Sequence, residues 1–156
     1  MKHTRRLMTA IPAALLGITL AATTAACQPP NRTGDSTAEV CADLHHDLPP
    51  LVSKIVASAS ELDTYPDGPT PVEQSQIVEA TRNGYHNLAS ALRSHAYRAE
   101  DENLATTMAH TADGVEARAA VVTTIDEVSK IKSSNAVDLS PLYSYCPGLV
   151  LDQKSG

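Results

Sequence analysis

The chain has no Trp and no Phe, and five Tyr residues make up its whole aromatic content. Sheet cores draw heavily on β-branched and aromatic side chains, whereas the Ala, Leu and Val that are plentiful here suit close packing of helices. The shortage of aromatics also works against a large flat apolar pocket of the kind that haem needs. The composition therefore favours an all-α domain.

The sequence also offers little that could cross a membrane. Its apolar stretch at residues 7–20 is interrupted by proline, glycine and threonine, and a spanning helix needs about 20 predominantly apolar residues. Basic residues precede this stretch and a run of small residues, 21–26, follows it, which is the layout of a secretory signal. We expect residues 1–26 to be a signal peptide that is removed from the mature protein.

The small-residue run ends in Thr24-Ala25-Ala26-Cys27, which resembles the lipobox of bacterial lipoproteins. In that family the cysteine sulfur is diacylglycerylated and cleavage makes the cysteine the first residue. Thr24 departs from the pattern, because the family usually has Leu or another aliphatic residue there. The resemblance implies lipidation of Cys27 and anchoring on the extracytoplasmic face of the cell membrane. The alternative is cleavage near Ala26 that leaves a free secreted protein.

Positive charge is scarce beyond the leader. The leader contains three of the 12 basic residues, Lys2, Arg5 and Arg6, and none of the 18 acidic ones, so the remaining chain has a net charge of −9. Nucleic acids and anionic headgroups both attract basic surfaces. We therefore expect no nucleic-acid partner, and attachment to the membrane only through the lipid on Cys27.

Only two cysteines remain once Cys27 is assigned to the lipid. Cys41 and Cys146 lie near the two ends of the domain, and an exported protein meets an oxidising environment. We predict a disulfide between them, closing a loop of about 105 residues that the chain-entropy model values at ~4 to 5 kcal/mol. A redox-active pair, the alternative, is typically spaced as CxxC. The placement of the two cysteines and the Ala- and Val-rich composition loosely resemble those of secreted actinobacterial proteins. This resemblance implies no particular activity.

Composition divides the rest of the chain into three segments. Residues 27–37 contain proline, glycine and polar residues but no apolar residue after the cysteine, so we expect a flexible tether. Residues 38–150 carry the periodic apolar pattern of a helical domain. We expect residues 151–156 to be a disordered tail.

Apolar residues recur every three or four positions along the first part of the domain, which predicts an amphipathic helix. Pro49-Pro50 interrupts this pattern, and a proline removes a backbone donor and clashes with the preceding turn. We therefore expect either a kinked helix or two helices, at 37–48 and 50–62.

Two further helices have recognisable starts. Thr70-Pro71-Val72-Glu73 is a capping box with proline at the first helical position, and the pattern after it continues to about Arg98. The acidic run Glu100-Asp101-Glu102 suits the start of a third helix, which we expect to continue to about residue 131. Gly114 within it marks either a close helix contact or nothing.

These elements predict an antiparallel bundle of three main helices, with a short C-terminal helical turn at Ser140-Pro141 and one disulfide. This topology conflicts with the predicted disulfide. Three helices that run up, down and up bring the chain to the end of the bundle opposite Cys41, whereas Cys146 has to reach Cys41. Either residues 132–145 run back along the bundle, or the first segment folds over at the proline pair; we expect some of each.

The chemistry that the chain offers is limited. No serine lies in a GxSxG context and no HExxH motif occurs, so we expect neither an enzyme nor a bound cofactor. His45-His46-Asp47 is the densest group of possible metal ligands, and His95 is expected near the same end of the bundle. However, His95 follows the apolar stripe of Leu88 and so is expected to be buried, whereas His86 and His110 are expected to face solvent.

Two functions remain open. The favoured one is a non-enzymatic, lipid-anchored envelope protein whose helical surface binds another envelope protein or a small apolar ligand. The alternative is an envelope lipoprotein that binds a metal ion or haem through His45, His46 and His95.

Overall fold

The computed structural model describes residues 34–131 and 135–149. The predicted signal peptide, Cys27, most of the tether and the tail lie outside the described residues. Three long helices form the predicted antiparallel bundle, and the described residues contain no strand beyond one isolated bridge between Asp35 and Ala99. The helices are α1 (Thr37–Ser60), α2 (Pro71–Arg98), α3 (Glu102–Val121) and the short α4 (Ile125–Ser129).

Helix α1 continues through Pro49 and Pro50, so of the two predicted arrangements the structure has the single helix and not the two separate ones. Each proline costs up to about 3 kcal/mol in a helix interior. However, the carbonyls that lose their partners belong to His45 and His46, whose side chains are exposed, so water can reach that side of the helix. The apolar stripe keeps its register across the pair, and burying each large aliphatic side chain contributes about 1.5–3 kcal/mol. The buried residues of α1 are Val40, Leu44, Leu48, Val52, Ile55 and Ala59.

The domain begins earlier than the sequence indicated. Ser36 and Glu39 form a capping box at the start of α1, and the backbone of Asp35 exchanges hydrogen bonds with the α2–α3 junction: its N–H donates to the Arg98 carbonyl at 2.8 Å and its carbonyl accepts from Glu100 at 3.0 Å. A side chain at Gly34 would place its Cβ 2.6 Å from the Arg98 carbonyl oxygen. Residues 34–37, expected to be tether, are therefore part of the folded domain.

Helices α1 and α2 are in close contact at Gly84, where a Cβ would lie 2.8 Å from Cγ1 of Ile55. The predicted capping box of Thr70 and Glu73 is present at the start of α2. All of the predicted α2 stripe is buried, including His95, which is 4% exposed. The buried residues of α2 are Ile77, Thr81, Tyr85, Leu88, Ala89, Leu92, His95 and Ala96.

Helix α3 is shorter than expected, because it ends at Val121 and not near residue 131. Residues 121–125 are five consecutive β-branched side chains, which lose rotamer freedom in a helix. Thr124 adopts an extended conformation and its hydroxyl accepts from the N–H of Glu127, which begins α4. The chain therefore changes direction here instead of extending one long helix.

Residues 135–146, here called the return segment, run back along the bundle to the disulfide. Ala136, Leu139 and Leu142 are buried against the core, and Cys146 reaches Cys41 at the start of α1. The conflict in the topology is therefore resolved by the return segment, without α1 folding over at the prolines. No helix within the described ranges has the length and apolarity that a membrane crossing requires.

Candidate functional site

Two of the three candidate histidines meet at one carboxylate. His46 Nδ1 lies 2.8 Å from one oxygen of Asp47, and His95 Nε2 lies 3.2 Å from the other. His45 lies apart from them, next to Gly148. A Cβ atom on Gly148 would be 3.8 Å from Cε1 of the His45 ring. Successive helical residues point about 100° apart, and this separates His45 from His46.

Arg98 connects these histidines to the start of the domain. Its guanidinium lies 2.8 Å from Nδ1 of His95, 2.6 Å from an oxygen of Asp35 and 2.9 Å from an oxygen of Asp43. A guanidinium can only donate hydrogen bonds, so Nδ1 of His95 accepts and its Nε2–H donates to Asp47. Both ring nitrogens of His95 are therefore occupied within the protein.

This cluster is better suited to holding the fold together than to binding a metal. The hydrogen bond from His46 is the main cause of the lowered pKa of Asp47, so this carboxylate is ionised at neutral pH. The positive charge of Arg98 beside His95 opposes a second cation there. Across residues 34–131 and 135–149, no three His, Cys, Asp or Glu side chains are grouped as metal ligands.

The remaining histidines lie outside this cluster. His110 is exposed, as expected. His86 is 43% exposed, and its Nδ1 lies 2.7 Å from Oε1 of Glu116 on α3. Neither is hydrogen-bonded to His46 or His95.

Cys41 and Cys146 form the predicted disulfide, with their Cα atoms 5.3 Å apart, inside the usual range of roughly 4.4–6.8 Å. Cys146 is fully buried. Tyr145 is half-buried against the core, with its carbonyl oxygen 3.5 Å from the sulfur of Cys41, whereas Tyr143 is 44% exposed.

A groove of about 720 Å³ lies between α3 and the return segment, and the sequence analysis did not anticipate it. Its volume falls within the range of roughly 300–1,000 Å³ that is usual for small-molecule sites. The residues that line it are Tyr85, Thr107, His110, Thr111, Gly114, Val115, Arg118, Asn135, Ala136, Val137, Asp138 and Pro141.

The α3 side of the groove is more apolar than its sequence suggests. The hydroxyls of Thr107 and Thr111 each donate, at 2.8 Å, to the carbonyl four residues earlier in the helix. They need no partner from the groove, and the rest of both side chains is carbon. A Cβ on Gly114 would meet no atom within 4 Å. Gly114 therefore opens onto the groove and does not mark a helix contact.

A polar end completes the groove. Tyr85 is fully buried, and its hydroxyl donates to the carbonyl of Ala136 at 2.9 Å, which ties α2 to the return segment. Burial raises the pKa of Tyr85, and the neighbouring Arg118 only partly offsets this. Arg118 is half-buried, and no carboxylate of the described residues lies within 4 Å of its guanidinium.

Sequence reasoning contained a signal that could have identified this groove. Thr107, Thr111, Gly114 and Arg118 follow one another at intervals of four, three and four residues, which places them along one side of a helix. A row of small side chains followed by a single arginine differs from an ordinary solvated helix face, which carries several charged residues. Of these four residues, only Gly114 was singled out from the sequence, as a close helix contact or a position without a role.

A second depression, of about 750 Å³, lies between α2 and α4. Glu79, Arg82 and Asp126 are among the residues that line it, and all three are exposed. Exposed side chains of both signs are typical of a solvated surface. The groove beside α3 is therefore the better candidate for a binding site.

We found no match to this chain among protein-family models, curated proteins or solved structures. The fold and the groove define a small three-helix bundle closed by one disulfide, with a partly apolar cleft beside its third helix.

Proposed function

We propose that this protein is anchored by a lipid on Cys27 at the extracytoplasmic face of the cell membrane, and that its helical domain binds a ligand without catalysis. The pairing of the cysteines is the main support for the lipid anchor. The chain has three cysteines, and the disulfide takes Cys41 and Cys146. Cys27 thus has no cysteine of its own chain to pair with, and it stands where the resemblance to a lipobox places the acylated residue.

The start of the domain fits a short connection to the membrane. The described domain begins at Gly34, so only residues 28–33 separate it from Cys27. A chain spans at most about 3.5 Å per residue, which keeps the first residue of the domain within about 25 Å of the anchor.

The groove supports a binding role. Its threonine hydroxyls are bonded to helix carbonyls and its buried tyrosine to a backbone carbonyl. A nucleophile needs a base within hydrogen-bond reach, and these hydroxyls are instead held by backbone groups. Concave shape, apolar walls and one cationic side chain are the features of a site that holds a molecule.

The metal- or haem-binding alternative has less support from the geometry. Of its three residues, His45 lies apart from the other two, and both nitrogens of His95 are hydrogen-bonded to charged side chains. We therefore keep the groove as the proposed site of binding.

Intact mass spectrometry of the protein extracted from membranes tests the anchoring. We expect a chain that begins at Cys27 and carries acyl groups, and we expect a Cys27→Ser variant to lack them. A double Cys41→Ser/Cys146→Ser variant, which keeps Cys27, is the control and should remain acylated. A soluble product with an unmodified Cys27 would contradict the proposal and favour the free secreted protein.

A further inference from the structure

We propose that the groove between α3 and the return segment binds a single acyl chain with one anionic headgroup, and that the headgroup lies at Arg118. This inference rests on the binding role proposed above, but it is independent of whether Cys27 is acylated.

The shape of the groove suits one flexible chain. Its α3 side extends from Thr107 to Arg118, and eleven residues at 1.5 Å per residue make about 16 Å of helix. Thr107, Thr111 and Gly114 along this side leave room at the helix surface, because none has a long side chain. Val137 and Pro141 provide apolar surface on the opposite side. A cleft that follows α3 for about this length, with small side chains on one wall and apolar ones on the other, accommodates an alkyl chain.

The charge at one end selects the headgroup. Arg118 is half-buried. Its guanidinium lies beside the hydroxyl of Tyr85 and partly offsets the raised pKa of that group. Its charge also contributes to the lowered pKa of Glu127, although Lys130 is the main cause there. The one acidic side chain that lines the groove, Asp138, is exposed and accepts the backbone N–H of Ser140 at 2.9 Å. A guanidinium without a close counter-ion binds carboxylate or phosphate through paired hydrogen bonds.

The test uses residues 28–156, secreted behind an unrelated cleavable leader so that no lipid is attached. Among residues 34–131 and 135–149, the buried apolar core extends from Val40 to Leu149, and this fragment contains all of it. Isothermal titration with decanoate, dodecanoate and tetradecanoate, each below its micelle concentration, measures binding. Each added methylene should tighten binding by roughly fourfold, which corresponds to ~0.8 kcal/mol. Equal affinity across the series would overturn the assignment of an acyl chain.

Gly114→Leu tests the location. The new side chain enters the open groove, so we expect dodecanoate affinity to fall at least tenfold. The melting temperature should hold or rise, because Leu favours helix over Gly. Ala117→Leu is the matched control: Ala117 is exposed on α3 and does not line the groove, so its binding should equal that of the wild type. Wild-type affinity in Gly114→Leu would overturn the proposal.

Arg118→Gln tests the headgroup. Dodecanoate should bind at least tenfold more weakly to this variant, while the uncharged dodecanol should bind it as it binds the wild type. Dodecyl phosphate, titrated beside dodecanoate, distinguishes a phosphate headgroup from a carboxylate. If neither anion binds the wild type, the ligand class is wrong. If dodecanoate binds while the mass spectrum contains no acylated Cys27, the ligand class stands and the anchoring proposal fails.

Discussion

The disulfide between Cys41 and Cys146 should supply a large share of the stability of this domain. The two cysteines are 105 residues apart in sequence, so the bond constrains almost the whole unfolded domain. The chain-entropy model assigns a loop of this size about 4.7 kcal/mol. A natural domain is stable by only about 5–15 kcal/mol in total. Opening the disulfide should therefore remove a third or more of the free energy of unfolding.

Urea unfolding of residues 28–156, followed by the helical circular dichroism signal, measures this. We compare the wild type, the reduced wild type and a Cys41→Ala/Cys146→Ala variant. A loss of about 4.7 kcal/mol corresponds to a fall of about 15–20 °C in melting temperature for a domain of this size. Reductant should not affect the variant, which is the control. A loss below about 1 kcal/mol would refute the reasoning, because the packing of the return segment alone would then hold it in place.

Two side chains of α2 give further predictions. Tyr85→Phe removes the donor to the buried carbonyl of Ala136 and should lower the free energy of unfolding by about 1–3 kcal/mol, measured by urea unfolding; no loss would mean that water replaces the hydroxyl. His95→Ala, measured without metal, should lower it by a similar amount, because the ring is buried and hydrogen-bonded on both nitrogens, whereas His46→Ala should have little effect. Zinc at a hundredfold excess over its Kd would stabilise a protein with a genuine zinc site by about 2.7 kcal/mol. If zinc clearly raises the melting temperature and His95→Ala abolishes that rise, metal binding is favoured instead.

Local rules in the sequence determined most of the bundle. The capping box at Thr70 and Glu73 defined the start of α2, because a side chain there satisfies orphan backbone donors whatever the tertiary structure. The helical spacing of apolar residues placed His95 in the core beside Leu88. The two cysteines predicted their own pairing, since each had one available partner once Cys27 was set aside.

Other features depended on the burial energy summed over many residues of a helix. Pro49 and Pro50 predict a break when they are considered alone, but the helix continues because its buried stripe extends on both sides of them. The early end of α3 had a local signal, because the run of β-branched residues at 121–125 is visible in the sequence. The prediction nevertheless extended the helix to about residue 131, because the apolar spacing continues through this run.

The groove was decided by the tertiary structure. Gly114 and Arg118 belong to a stripe of α3 that could have been an ordinary solvated face, and they line a cleft only because the return segment lies opposite them. That position follows from the turn after α3, the hydrogen bond from Tyr85 to Ala136 and the disulfide at the far end of the segment. The hydrogen bond and the disulfide join residues 51 and 105 positions apart, and no periodicity within a single helix encodes such long-range contacts.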